Sequence, residues 1–217
     1  MCMRNTKLIV FIGLLLILGS GIWGQSGIIE YSEGRVTVIR GITNQRVSVD
    51  IGTPVQPGDR VITGPGALVI MTFAQGSQVK LRENSEITLD TIEGQGAVSL
   101  NAGSLFARAT PQSRSSAQRL EIRTLSAVAG VRGTEFFVAY GPTVPGTPNL
   151  WLCVNTGVVE VQINDDPTKS TDVNAGEGIL VRPTELTEPQ FYAWTENLNW
   201  NFSPTAGEVV DNTGVGL

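Results

Sequence analysis

Side chains able to move protons, attack carbonyls or bind metals are scarce in this chain of 217 residues. Histidine is absent altogether, which removes the commonest general base, the commonest zinc ligand and every triad built on an imidazole. Cysteine occurs twice, as Cys2 and Cys153. Cys153 sits in the apolar run Leu150-Trp151-Leu152-Cys153-Val154 with no basic neighbour, so it is expected to be a small buried core residue and not a nucleophile. Asn164-Asp165-Asp166, with Asp172 and Asn174, offers the clustered oxygens that calcium takes. It lacks the EF-hand order and its closing glutamate, so a solvated hairpin between Ile163 and Val173 is expected and no metal. Carboxylate pairs for glycoside hydrolysis need not be close in sequence, and nothing singles out a pair here. No glycine loop follows a strand and opens a helix, so no nucleotide or other cofactor is expected. The chain is read as non-catalytic.

One polar cluster remains. Arg132, Gly133, Thr134 and Glu135 stand at the start of the apolar strand Phe136-Phe137-Val138. They are the candidate binding residues, as a turn that contacts a partner. The competing reading is a structural corner, with Gly133 allowing the backbone conformation, Arg132 pairing with a carboxylate or capping carbonyls, and Phe136 plugging the core.

The elements that must position this cluster are strands. Val36-Thr37-Val38-Ile39, Val47-Ser48-Val49-Asp50-Ile51, Val79-Lys80-Leu81, Ile87-Thr88-Leu89, Val98-Ser99-Leu100, Leu105-Phe106-Ala107, Leu120-Glu121-Ile122 and Val158 to Ile163 alternate with a period of two. Such alternation puts one side chain inward and the next toward solvent. Turn formers such as Pro57-Gly58-Asp59, Gly64-Pro65-Gly66 and Gln75-Gly76-Ser77 lie between them. An apolar-Asn-x-Gly motif recurs in Leu100–Gly103, Val154–Gly157 and Val173–Gly176, with Tyr31–Gly34 a looser copy. Each is a candidate tight reversal, because Asn and Gly tolerate positive φ. The expected fold is all-β, a β-solenoid or roll of short strands, with a β-sandwich as the alternative. Two segments are expected to be long loops, Ala109 to Gln118 and the proline-rich Gly141 to Asn149. Beyond Pro183, Thr187-Glu188-Pro189-Gln190 resembles a capping box, and Phe191, Trp194 and Leu198 recur at helical spacing. A short C-terminal amphipathic helix is expected there, docked over the open end of the β body, and then a frayed tail from Ser203 to Leu217.

Residues 1–24 combine Arg4 and Lys7 with the apolar run Leu8 to Leu18 and a small, polar exit. That is the order of a secretory signal peptide, or of an anchor if it is not cleaved. Its loss leaves 13 basic against 20 acidic residues, a balance of −7. An acidic body lacks the basic footprint that phosphate requires, so nucleic acid is excluded as a partner. A membrane association is expected only through an uncleaved N-terminus. The division read from the sequence is 1–24 for the signal segment, 27–183 for the β domain and 184–217 for the C-terminal helix and tail.

The segment Ala127-Val128-Ala129-Gly130-Val131-Arg132-Gly133-Thr134-Glu135-Phe136-Phe137-Val138 resembles the signature of the FecR domain, a V-R-G-T-x-F-x-V run. Gly34-Arg35-Val36, Pro57-Gly58-Asp59-Arg60-Val61, Gly76-Ser77-Gln78-Val79, Gly157-Val158-Val159 and Gly176-Glu177-Gly178 support it in order. The likeness covers about Gly27 to Val181, and Thr124-Leu125-Ser126 departs from it where family members often have a Thr-Pro step. It implies an all-β, solenoid-like, extracytoplasmic body. The regulators that name the family also have a cytoplasmic anti-sigma segment, which this chain is expected to lack. The leading expectation is therefore an exported, non-catalytic module, periplasmic or secreted, that binds an envelope protein or polymer. The alternatives are an extracytoplasmic component of a sigma/anti-sigma type signalling system and, last, a carboxylate-dependent glycan hydrolase.

Overall fold

The computed structural model describes residues 27–73, 76–92, 95–110, 120–131, 133–144 and 147–203. The expected signal segment, most of the Ala109–Gln118 loop, Arg132 and the tail from 204 lie outside these. Within them the chain is almost entirely strand: β1 (Gly27–Glu33), β2 (Val36–Ile39), β3 (Arg46–Val47), β4 (Pro54–Val55), β5 (Arg60–Thr63), β6 (Leu68–Phe73), β7 (Gln78–Leu81), β8 (Glu86–Ile92) and β9 (Gln95–Arg108). Then follow β10 (Leu120–Arg123), β11 (Ala127–Val131), β12 (Glu135–Val144), β13 (Thr147–Thr156), β14 (Val158–Ile163), β15 (Ser170–Asn174), β16 (Gly178–Arg182) and β17 (Glu185–Leu186).

The pairings arrange these strands in two rows that share β9. The first row runs β4, β1, β6, β7, the second half of β9, β12, β13, β16, β17. The second runs β3, β2, β5, β8, the first half of β9, β10, β11, β14, β15. Every pairing is antiparallel except β9 with β10. One apolar cluster draws on both rows, with Met71, Leu81, Leu105, Val138 and Leu152 from the first and Val61, Leu89, Val98, Ile122 and Val161 from the second. Alternation delivers it: Val159, Val161 and Ile163 of β14 are buried while Val158 and Glu160 are exposed. Each such burial stabilises by about 1.5–3 kcal/mol.

The repeated Asn-x-Gly motif marks places where the chain changes rows. Gly34 lies between β1 and β2, Gly103 within β9, Gly157 between β13 and β14, and Gly176 between β15 and β16, with φ of 72°, 88°, 85° and 85°. At Gly103 the need for glycine is double. A Cβ there would stand 2.2 Å from Ser85 Oγ and 2.6 Å from Ser85 Cα, and φ is in the left-handed region. A bulge beside it shifts the register between Glu86–Ala102 and Ile87–Leu100. Inward residues are therefore Val98 and Leu100 before the bend, and Leu105 and Ala107 after it. Phe106 is thereby sent to the outer face of the first row.

Two expectations are corrected. Within Gly141–Asn149 the described residues are not loop but the far parts of β12 and β13, paired with Gly141 opposite Asn149 and Pro142 opposite Pro148; residues 145 and 146 lie outside the described residues. The prolines are tolerated because pairing with β9 ends at Tyr140 and pairing with β16 ends at Leu150, so no outer ladder asks for their missing N–H. No α-helix forms over Thr187–Leu198 either. Gln190 instead exchanges backbone hydrogen bonds with Gly178 at 2.8 and 2.9 Å, and only the five-residue 3-10 helix Ala193–Asn197 follows. The Thr-Pro step of the family is dispensable here, because Thr124 Oγ1 accepts from the N–H groups of Ser126 and Ala127 and closes the β10–β11 turn.

Candidate functional site

The residues Gly133, Thr134 and Glu135 form the corner at which the chain passes from β11 to β12. Gly133 has φ 65°. The Thr134 carbonyl accepts the N–H of Ala109 at 2.8 Å, and the Glu135 N–H donates to Thr156 Oγ1 at 3.2 Å. Gly157 lies against this corner, where a Cβ would meet Thr134 Cγ2 at 2.5 Å. Thr134 is 1% exposed, and its hydroxyl has no hydrogen-bond partner among the described residues. The side chain is thus used as an apolar wedge whose methyl packs while its oxygen goes unpaired.

Glu135 faces outward and ends a polar ladder that crosses the first row. Arg108 Nε donates to Glu135 Oε1 at 2.6 Å, and Asn155 Nδ2 donates to Glu135 Oε2 at 3.0 Å. Arg108 also donates to Gln78 Oε1 at 3.3 Å. Gln78 Nε2 donates in turn to Glu30 Oε2 at 2.9 Å, and Thr72 Oγ1 donates to the same oxygen. Register pairing sets this ladder, since Thr72 faces Gln78, Gln78 faces Arg108 and Arg108 faces Glu135. The three described signature residues therefore meet, and their contacts are those of a corner held in place.

The P-G-D turn has an equally definite task. Asp59 is 2% exposed. Its carboxylate accepts from Arg40 Nη1 at 2.5 Å, from the Gln56 N–H at 3.0 Å and from the Gly41 N–H at 3.2 Å. Gly41 packs on Gly58, where a Cβ would stand 2.4 Å from the Gly58 carbonyl oxygen. The Asn164–Asp166 segment is the expected hairpin turn. Asn164 Nδ2 donates to the carbonyls of Thr124 and Leu125, and Asp166 accepts the Thr168 hydroxyl at 2.6 Å. That bond holds the Asp166 carboxyl below its ordinary range.

The feature that sequence reasoning missed lies on the outer face of the first row. Lys80, Phe106, Phe137 and Cys153 are register neighbours on four successive strands. All four are buried beneath residues 190–202, whose Leu198 and Phe202 join Phe106, Phe137 and Cys153 in a second apolar cluster, flanked by Trp151, Trp194 and Trp200. Trp200 meets Phe106 edge-on at 5.2 Å, and Trp194 meets Phe137 at 6.2 Å. Lys80 alternates with Val79 and Leu81 as a solvent-facing residue would, yet it is fully buried. Its ammonium sits 4.0 Å from the Phe106 ring centroid and donates to the carbonyls of Asn199 and, at 3.1 Å, Asn201. Burial pushes the Cys153 thiol up to about 12, against a smaller lowering by a backbone hydrogen bond from Phe137. An apolar cleft of about 210 Å³ remains between Phe137, Ala139, Trp151 and Trp194. The C-terminal segment thus lies across the face of a row and not over an open end of the body.

Residues 59–160 match the family model described as FecR protein, which spans β5 to β14 and includes the Gly103 and Gly157 crossings. Two crystal structures of a proposed anti-sigma factor from Parabacteroides distasonis ATCC 8503 are similar. The first has 20% identity and a TM-score of 0.50, the second 21% identity and 0.49. Each alignment covers 61% of this chain and 59% of the other, so the chain spans about three fifths of that protein's length. A cell surface anchoring domain has 30% identity over 30% of this chain and 83% of its own, with a TM-score of 0.28 at which no common fold is claimed. No curated protein matches. No helix among the described residues is long and apolar enough to cross a membrane.

Proposed function

We propose that this chain, whose residues 59–160 match the FecR family model, is the extracytoplasmic component of a signalling system of the sigma/anti-sigma type, acting by binding another protein. The family match is the observation that carries this reading. The fold shared with a proposed anti-sigma factor supports it. Both likenesses support the signalling role, the alternative in the sequence reading, better than a general envelope-binding module. The apolar run at Leu8–Leu18 behind Arg4 and Lys7 supports export to the periplasm or beyond. The two rows around one core are read here as a rolled body in which β9 passes from one row to the other.

The role is binding and not chemistry. The chain has no histidine, its buried Cys153 is held as the neutral thiol, and its buried carboxylate Asp59 is committed to Arg40 and two backbone donors. Gly133, Thr134 and Glu135 serve that role as the corner that fixes β12, and Arg132 remains a candidate contact beside it. A photo-crosslinking residue at Phe191, which is 60% exposed, tests the reading in the native envelope. The expected product is a discrete adduct with one envelope protein. Adducts with glycan alone, or with no protein, would refute it.

A further inference from the structure

We propose that residues 190–202 are a detachable strap that occludes a protein-binding face on the first row, formed by Phe106, Phe137, Trp151 and Ala139. The strap contains one 3-10 turn, and the backbone hydrogen bonds of Thr195 and Leu198 stay within it. At its start the strap is tied to β16 by the two Gln190–Gly178 backbone hydrogen bonds. Beyond that hinge its hold on the sheet comes from the rings of Trp194, Trp200 and Phe202, the Leu198 side chain and the Lys80 ammonium. The cleft of about 210 Å³ beside Trp194 is half open to solvent, so the strap covers the aromatic face incompletely. A cover that packs incompletely and pairs little backbone opens at less cost than the sheet beneath it.

Lys80 is the latch. A buried ammonium requires acceptors, and the strap brings two carbonyls to it from 119 and 121 residues away. When the strap lifts, Lys80 regains water and the aromatic row is bare. The seated strap also defines what the face accepts: an extended segment with bulky aromatic and aliphatic side chains and free carbonyls for Lys80. A cleft below the range of small-molecule pockets, with almost wholly apolar walls, suits one such side chain of a protein. The identity of the face as the partner's seat rests on the signalling reading; the opening of the strap does not.

Cys153 reports the opening, because it lies beneath the strap. The full chain with Cys2→Ser is alkylated under native conditions while amide exchange is followed at Val61 and Ile87 of the second row. Lys80→Met removes both hydrogen bonds from the charged donor to the strap and is expected to raise the Cys153 rate at least about tenfold, with protection at Val61 and Ile87 unchanged. Trp194→Ala is expected to do the same and decides the matter if Lys80→Met does not fold. Rates at Cys153 that rise no more than exchange at Val61 in the folded variant would overturn the strap. A labelled peptide of residues 189–203 tests the face: it is expected to bind Trp194→Ala more tightly than the parent chain, whose own strap competes. Equal binding to both chains, or to neither, would overturn the face as a peptide seat and leave the signalling proposal to its own test.

Discussion

Gly157 meets Thr134 so closely that a methyl group on Gly157 would lie 2.5 Å from Thr134 Cγ2 and 3.0 Å from the Gly133 carbonyl oxygen. The signature turn at Gly133–Glu135 and the Asn-x-Gly crossing at Asn155–Gly157 are thus two halves of one joint. Gly157→Ala forces an L side chain into φ 85° and into its neighbour. The expected cost is about 2–4 kcal/mol, read as a lower urea midpoint at unchanged slope.

Thr134 tests the same joint from the other side. Its hydroxyl is buried and unpaired among the described residues while its methyl packs. Thr134→Val keeps the shape and removes an unsatisfied oxygen, so stability is expected to hold or to rise by about 1 kcal/mol. A loss of similar size would show that the hydroxyl has a partner and a task.

Asp59 ties Arg40, Gly41 and Gln56 into the β4–β5 turn. Asp59→Ala leaves the Gln56 and Gly41 N–H groups without their acceptor and takes the carboxylate from Arg40, which keeps the Pro54 carbonyl. It is expected to cost about 3 kcal/mol or more, measured by the same denaturation.

Cys153 gives a pH dependence of known sign. Its thiol is raised from 9.0 to about 12 in the fold by burial. The unfolded chain therefore releases this proton first, and the folded state holds more protons between about pH 9 and 12. Stability is unaffected below that window and falls as pH rises through it, by up to about 1.4 kcal/mol per unit from this group. Cys153→Ala is expected to flatten the slope by that amount relative to the parent chain.

Much of this was legible in the sequence, for local reasons. The Asn-x-Gly motifs at Gly103, Gly157 and Gly176, with the looser copy at Gly34, read as tight reversals; all four glycines have positive φ, but Gly103 bends a single continuous strand from one row to the other instead of reversing it. The alternation in Val159-Glu160-Val161 or Leu120-Glu121-Ile122 named the buried side chains directly. What could not be read depended on distant partners. Lys80 alternates like a surface residue, and only a segment some 120 residues later buries it. Phe191, Trp194 and Leu198 have helical spacing, but the Gln190–Gly178 bridge takes the backbone groups that a helical start would use. In the candidate site, Gly133 to Glu135 were found by motif. Their structural work, with Ala109, Thr156 and Gly157, came from strands that motif reading does not bring together.

The signalling role is tested most directly by genome-wide transcript abundance in host cells lacking this chain, compared with the same cells carrying it again. The account predicts that a single coherent regulon changes and is restored by the parent chain. Transcript levels that are the same with and without the chain, under conditions where it is expressed, would contradict it.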